Sequence, residues 1–460
     1  MTPIVGTASG PGLGFGTDGI RGVAGEQLTP LLALQVGYWA GRVLDPPGPV
    51  LLGMDSRSSG PMLAAALSAG LTAAGREVWD LGLCPTPAVA RLVGLTGATA
   101  GLMISASHNP PADNGIKLFG NGGTKLTAIQ RQGIEAGLAG AWEQTFTAAA
   151  AVHRRSDLLR RYVTALKQSL QCPDLSGLRV VLDLCWGAAT VCTEELFRSL
   201  GAEVIVLHGR PDGRRINVDC GSTAMAPLAT AVLAHGADCG FAFDGDADRV
   251  LAVDERGRPV DGDHILFLWG SALAAADLLP ERRLVATIMS NLGFERAWRA
   301  DGGTLLRTPV GDQHVQAEMA RTGTVLGGEQ SGHILCAHHG SVGDGLMTAL
   351  QLARILCAAD SSFSSLVDAA FVAYPQKLTN VPVPDRNLRS NWRACKPLRQ
   401  ALERAEQAMA DQGRVLVRPS GTEPLLRVMI EATDQATVDH WSETLAAMAA
   451  HHLVPAAVSG

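Results

Sequence analysis

Aromatic side chains are scarce in this 460-residue chain, at 5%, and no stretch of it is strongly basic. With a net charge of −6 and a pI near 6.1 it lacks the electrostatic footprint of a nucleic-acid-binding surface. No uninterrupted apolar run reaches the roughly 18 residues that a membrane-crossing helix needs. No charged segment followed by a long apolar stretch opens the sequence, so a secretory signal is not expected. The nine cysteines (Cys84, Cys172, Cys185, Cys192, Cys220, Cys239, Cys336, Cys357 and Cys395) are odd in number, scattered and without a CxxC pair. That pattern argues against a disulfide framework and fits reduced, core-type thiols in a cytoplasmic protein.

What the chain has in abundance is small and aliphatic. Hydrophobic residues make up 47% and there are 52 glycines, many of them in short polar motifs, which points to tight turns between α and β elements. The length implies three or four domains of about 100–150 residues each. Thr29-Pro30 starts an apolar-periodic helix to about Val43, Val50–Met54 reads as strand, Pro61–Ala74 as helix and Glu77–Leu83 as strand. This βαβα rhythm repeats twice. In the second series Leu178–Leu182, Glu203–Leu207 and Cys239–Phe243 are strands; in the third, Leu284–Ile288 and Leu305–Thr308. From about Phe371 the rhythm changes to short strands and two helices, as in a small α+β domain.

Polar motifs sit at the ends of these elements. The apolar run Gly101–Ile104 delivers Ser105, Ser107, His108 and Asn109. Pro110-Pro111 then bars a helix, Asn114-Gly115 signals a turn and Lys117 closes the segment. A hydroxyl beside an imidazole and an ammonium suits a nucleophile or a phosphate-carrying serine; a plain Asn/Pro loop would use the same residues to satisfy backbone. Phe15–Gly22 is glycine-rich and offers Arg21 as a fork of donors for phosphate, or simply as a surface charge. Asp244, Asp246 and Asp248 alternate along a turn between two apolar strands, where clustered carboxylates need a cation. Oxygen-only donors favour Mg²⁺, the closing glutamate of an EF-hand is missing, and a solvated acidic turn fits the flanking strands poorly. Glu329, Ser331 and His333 share a Gly-bounded turn that could bind sugar hydroxyls or cap the next element. Arg418, Ser420, Gly421, Thr422 and Arg427 form either a phosphate cradle or a charged β-turn. Together they read as phosphoryl transfer on a phosphorylated polyol or sugar.

In this order FGTDGIRG, ISASHNPPADNGIK, DGDADR, GGEQSGH and RPSGTEPLLR resemble the α-D-phosphohexomutase family, from Phe15 to about Glu431. Tyr374-Pro375-Gln376, with Leu378 and Asn380-Val381, and Thr17–Arg21 are similar to its glucosamine-type branch. The resemblance implies an α/β protein of four domains around a central cleft. Three are related α/β domains (1–152 with the phosphoserine loop, 153–254 with the metal loop, 255–366 with the sugar loop), and the fourth is a C-terminal α+β, TBP-like domain (367–460) with the phosphate loop. It makes Ser107 the phosphoserine beside His108, with Ser105 a neighbour. Asp244, Asp246 and Asp248 hold one Mg²⁺ together with the phosphate on Ser107. Arg21 and Lys117 flank the transferring group and are the candidates for the general base, although an arginine resists deprotonation. Arg249, Glu329, Ser331 and His333 lie at the sugar, and Arg418, Ser420, Gly421, Thr422 and Arg427 at the distal phosphate. The implied reaction interconverts glucosamine 6-phosphate and glucosamine 1-phosphate, with hexosamine 1,6-bisphosphate as intermediate and activator, toward UDP-N-acetylglucosamine and peptidoglycan. Dimerisation occurs in parts of the family. Gln313-His314 stand where this branch usually has Arg-Tyr, which removes a cation that Asp312 or His314 would have to replace. Leu184-Cys185-Trp186 and Arg214-Arg215 also depart from the usual pattern. Competing readings are the same chemistry on glucose or mannose phosphates, a non-catalytic sugar-phosphate sensor and a metal-dependent phosphatase.

Overall fold

The computed structural model describes residues 19–140, 150–171, 174–420 and 423–453. By its contacts the chain divides into two compact units, residues 1–289 with 303–370, and residues 290–302 with 371–460.

The larger unit is built on three sheets. The first holds β1 (Gly19–Val23), β2 (Val50–Met54), β3 (Val78–Leu83), β4 (Ala100–Ile104), β5 (Asp113–Phe119) and β6 (Val152–Arg154). The second holds β7 (Arg179–Asp183), β8 (Glu203–Leu207), β9 (Cys239–Phe243), β10 (Val250–Asp254) and β11 (Pro259–Val260). The third holds β12 (Arg283–Thr287), β13 (Thr304–Thr308), β14 (Leu326–Gly328) and β15 (Ile334–Cys336). One strand order recurs in all three: β5-β4-β2-β3, β10-β9-β7-β8 and β15-β14-β12-β13. Each time the first three strands in sequence run parallel and the fourth folds back antiparallel on the third. The parallel strands read as near-continuous apolar runs because helices cover both faces of such sheets; every residue of β4 and β9 is buried.

The helices begin where their caps stand. Thr29 accepts from the Leu32 amide ahead of Pro30–Val43, and Thr127 forms a capping box with Gln130 ahead of Ala128–Ala139. Asp344 caps Gly345–Ala358. Pro30–Val43 and Gly60–Ala73 lie against the first sheet in a core that includes Val36, Leu67, Leu71, Leu52 and Leu102. Among the described residues no helix is long and apolar enough to cross a membrane.

The smaller unit contains a three-stranded antiparallel sheet ordered β16 (Gln376–Pro382), β18 (Leu425–Ala432), β17 (Gly413–Pro419). Helices Lys396–Met409 and Gln435–Leu453 bury Leu398, Ala405, Leu445 and Ala449 with Leu426, Val428 and Ile430 of β18. The helix Leu292–Ala300 is tied to this sheet by the buried Glu431 carboxylate, which accepts the Leu292 amide at 2.7 Å and pairs with Arg414.

One local expectation is overturned. Asn114-Gly115, a turn signal on its own, lies inside β5. The chain reverses earlier, around Asn109–Ala112, and β5 pairs with β4 on one side and β1 on the other. Two ladders of backbone hydrogen bonds outweigh the weak preference of two residues. The glycine-rich segment around Arg21 is likewise a strand from Gly19 onward; its first part, Phe15–Asp18, lies outside the described residues.

Candidate active site

The three repeated hairpins carry the three polar motifs. Ser105–Ala112 joins β4 to β5, Asp244–Arg249 joins β9 to β10, and Glu329–His333 joins β14 to β15. Each motif therefore stands at the carboxyl end of a parallel strand, where open α/β sheets bind ligands.

Ser107 is held with φ of 53°, in the left-handed region. For a residue with a Cβ this costs on the order of 1 kcal/mol, strain of the kind stored at functional sites. Its hydroxyl donates to Asp244 Oδ2 at 2.6 Å, across 137 residues of sequence, and lies 3.3 Å from His108 Nδ1. Burial, with Arg249 and Arg21 adding to it, pushes the His108 imidazole down to about 4. At neutral pH that ring is uncharged.

Asp244, Asp246 and Asp248 are all buried, and one oxygen of each lies within 4.8 Å of the others. Burial first, then Asp248 and Asp246, raise the Asp244 carboxyl well above its usual range. Burial acts the same way on Asp248, but Lys117 and His333 outweigh it and hold that group well below its usual range. The Oδ1 atom of Asp246 is buried without a hydrogen-bond partner, and that of Asp248 makes no hydrogen bond but faces His333 at 3.4 Å and Arg249 at 3.8 Å. Three converging oxygen donors, one of them with an orphaned atom, fit a hard divalent cation. The turn also packs on the Ser107 loop: a Cβ on Gly245 would stand 2.8 Å from the Ser107 carbonyl oxygen, so only glycine fits.

Cations and donors surround this floor. Lys117, on β5, reaches Asp246 at 2.6 Å and Asp248 at 2.7 Å. Arg21, on β1, is in register with Gly115, and its charge is felt at His108. The Arg249 amide donates to Asp244 at 3.1 Å. Two further residues carry no motif of their own. Thr86 donates its hydroxyl to Asp246 Oδ2 and its amide to the Asp246 carbonyl, and the Asn217 amide donates to the Ser107 and Asn109 carbonyls at 2.8 and 3.1 Å. Their only sequence signal is position, just after an apolar strand or a turn.

His333 is buried between Asp248 at 3.4 Å and Asp312 at 3.6 Å. Burial acts to lower its pKa, but those two carboxylates win and push it to about 9, so the ring is a cation at neutral pH. Its ring lies against Gly343, where a Cβ would stand 2.5 Å from Nε2. Asp312 also pairs with Lys125. Asp312 is thus itself neutralised and does not replace a cation missing at Gln313. Lys125 and Arg131 instead line a cavity of about 410 Å³ together with Lys117, Gln313 and His333. Glu329 accepts the Gly311 amide at 2.9 Å and the Ser331 hydroxyl at 3.3 Å, so each carboxylate oxygen already has one partner. Ser331 is exposed.

The fourth motif belongs to the smaller unit. Arg418 and Arg427 stand directly opposite each other on β17 and β18. Like charges in that relation are destabilising. Burial first, and Arg427 second, hold Arg418 below the usual arginine range, while Arg427 pairs with Glu423 at 2.7 Å. Ser420 follows β17, buried, its amide donating to the Leu425 carbonyl at 2.8 Å. Two opposed guanidiniums beside a hydroxyl could seat an anion. Gly421 and Thr422 lie outside the described residues.

Comparison with known proteins agrees with this geometry. Four family models match in sequence order: phosphoglucomutase/phosphomannomutase α/β/α domain I at residues 12–144, domain II at 160–257, domain III at 261–374 and the C-terminal domain at 378–448. The chain belongs to the phosphoglucomutase/phosphomannomutase family, the α-D-phosphohexomutases. Among curated relatives, the phosphoglucosamine mutase of Synechococcus sp. (strain RCC307) is 64% identical over 447 residues, covering 97% of each chain. That of Parasynechococcus marenigrum (strain WH8102) is 62% identical over 441 residues, covering 96% of each. Among solved structures, a phosphoglucomutase/phosphomannomutase family protein from Burkholderia thailandensis superposes with a TM-score of 0.79 at 26% identity, covering 95% of this chain and 97% of that one. The Aspergillus fumigatus N-acetylphosphoglucosamine mutase, solved with GlcNAc-6P and magnesium, shares the fold at a TM-score of 0.67 and 18% identity, over 96% of each chain.

Proposed function

We propose that this protein interconverts glucosamine 6-phosphate and glucosamine 1-phosphate by way of a phosphorylated Ser107 and a hexosamine 1,6-bisphosphate. The observation that carries the chemistry is the Ser107 hydroxyl, strained and buried, 2.6 Å from an aspartate of a three-carboxylate cluster faced by Lys117, His333 and Arg249. The amino-sugar substrate rests on the relatives at 60% identity and above.

Asp244, Asp246 and Asp248, with the phosphate on Ser107, would hold one Mg²⁺. Bound there, the ion supplies positive charge to the equatorial oxygens of the transferring phosphoryl group. The chain's own part is as follows. Ser107 presents Oγ at a fixed point. Lys117 and Arg21 flank the group in flight. Neither accepts the proton of the attacking sugar hydroxyl as it stands: an arginine resists deprotonation, and Lys117, an ammonium paired with Asp246 and Asp248, acts as a base only after giving up its own proton. The phosphoryl group leaves Ser107 Oγ for O1 of glucosamine 6-phosphate. The bisphosphate reverses, and its 6-phosphate returns to Ser107. Arg249, Glu329, Ser331 and His333 would contact the sugar, and Arg418, Ser420, Gly421, Thr422 and Arg427 whichever phosphate is not reacting. The product would feed UDP-N-acetylglucosamine synthesis.

A substrate comparison tests the reading. The protein is given glucosamine 1-phosphate, glucose 1-phosphate and mannose 1-phosphate in turn, with Mg²⁺ and a trace of the matching bisphosphate, beside a Ser107→Ala control. The highest kcat/KM is expected on the amino sugar, with none left in the control. A preference for glucose or mannose phosphate would keep the serine and metal roles and reassign the substrate.

A further inference from the structure

Arg57 carries no role in the chemistry above, yet its contacts are concentrated on the nucleophile's loop. It follows β2 in a short polar segment, and its side chain is fully buried. A guanidinium has five N–H donors in a rigid fork, and all five are engaged. Nε donates to Asp55 Oδ2 at 3.0 Å. Nη2 donates to the carbonyls of Ser107 at 2.9 Å and Asn109 at 2.7 Å. Nη1 donates to the carbonyls of Asp113, at 2.8 Å, and Pro110. Four donors of one side chain thus end on four carbonyls, three of the loop and one of the first residue of β5.

The other side of the loop is tied to the same pair. Asp55 Oδ2 accepts the Ser105 hydroxyl at 2.7 Å, and the Ser105 oxygen accepts the Ser107 amide at 2.8 Å. The Ser107 peptide groups are therefore gripped at the carbonyl by Arg57 and at the amide through Asp55 and Ser105. Asn217 adds an outer clamp on the Ser107 and Asn109 carbonyls. The residue so gripped is the one held in the left-handed conformation. Strained backbone persists only where its surroundings over-determine it, and this network does so here. None of the Arg57 donors bonds to Ser107 Oγ or to the acidic triad.

We infer that Arg57, backed by Asp55, is a positioning residue that fixes the Ser107 hydroxyl for phosphoryl transfer. The inference rests on Ser107 being the phosphoryl carrier. Lysine cannot replace Arg57, because a point charge with three donors does not match four carbonyls arranged around a planar fork.

The test uses the full-length protein with Arg57→Lys, Asn217→Ala and Ser107→Ala, and three readouts. These are steady-state kinetics on glucosamine 6-phosphate, corrected for the phosphorylated fraction by intact-protein mass, melting temperature, and amide hydrogen exchange resolved by peptide. For Arg57→Lys the expected result is a fall in kcat of about 100-fold, as for a small misplacement of a reacting atom. KM should stay within about threefold, because the phosphate seat of the other unit is untouched, and faster exchange should be confined to peptides covering Ser105–Phe119. Asn217→Ala should lower kcat about tenfold by the same route. A kcat within threefold of wild type for Arg57→Lys, or a loss carried by KM alone, overturns the inference. If Arg57→Lys does not fold, Asn217→Ala decides: an unchanged kcat overturns the inference, and a lowered kcat with unchanged KM and local exchange upholds it. Mutase activity surviving in Ser107→Ala would instead refute the phosphoserine reading itself.

Discussion

The floor around Ser107 and the arginine pair on β17 and β18 are both proposed to handle phosphate, and they are built differently. The floor is buried, its loops come from three sheets, and its polar atoms are wired to one another over long sequence separations. The arginine pair is made by two neighbouring strands, nine residues apart in a hairpin, and its charges are only partly covered. Moving a phosphoryl group needs charge placed to within a fraction of an ångström, which burial and many partners provide. Gripping a phosphate that does not react needs attraction and a seat, which a hairpin with two guanidiniums supplies. Changes on the floor should therefore appear in kcat and changes at the hairpin in KM.

Ser107→Ala makes the sharpest test. It should abolish phosphoenzyme in intact-mass spectra and lower kcat/KM at least about a thousandfold, since it removes the covalent carrier. Asp244→Asn comes next and should divide activity from stability. Loss of a metal ligand should lower kcat/KM by more than about 100-fold. In the metal-free protein, relief of repulsion among buried carboxylates should raise the melting temperature by about 1–3 °C. The further rise on adding Mg²⁺ should disappear. Melting curves with and without Mg²⁺ check both, and a metal-free variant that melts far below wild type would mean the cluster is not under the strain its burial implies.

Arg418→Gln should raise KM for glucosamine 6-phosphate about 10- to 100-fold, the worth of a charge-assisted contact, and leave kcat within about threefold. A collapse in kcat would erase the contrast between the two regions. The smallest effect concerns Asp55, which burial raises from 3.8 to about 6. A carboxyl whose folded pKa is raised contributes stability that is fully present below its unfolded pKa and lost as pH rises through the folded one. The melting temperature of wild type minus that of Asp55→Asn should therefore fall between about pH 4 and 6 and level off above. A flat difference would show that Arg57 compensates the buried carboxylate fully.

Much of this was legible along the chain. Apolar runs such as Val50–Met54 and Cys239–Phe243 are strands at those residues because buried parallel strands admit little else. Thr127 announces its helix by its own side chain. Where local signals failed, tertiary pairing overrode them. Asn114-Gly115 became strand interior because β5 has a partner on each side, which no local preference reports. Thr86, Asn217 and Arg57 gave no motif, since each acts on a residue far away in sequence. The charge on His333 depends on two carboxylates it meets only in the folded protein.

The sequence by itself determined the chemistry on offer: a serine beside an imidazole, three alternating aspartates, a glycine-bounded glutamate and histidine, and two arginines around a hydroxyl. Residue type and spacing are enough for that, because donors, acceptors and charges belong to side chains. Only the tertiary structure decided that Ser107 meets Asp244, that Lys117 lies across Asp246 and Asp248, and that Arg57 grips four carbonyls. The physical reason is that these contacts join segments which propensity and periodicity treat separately. A three-times repeated strand order brings the ends of β4, β9 and β14 together, and the buried carboxylates acquire their shifted affinities only once water has been excluded.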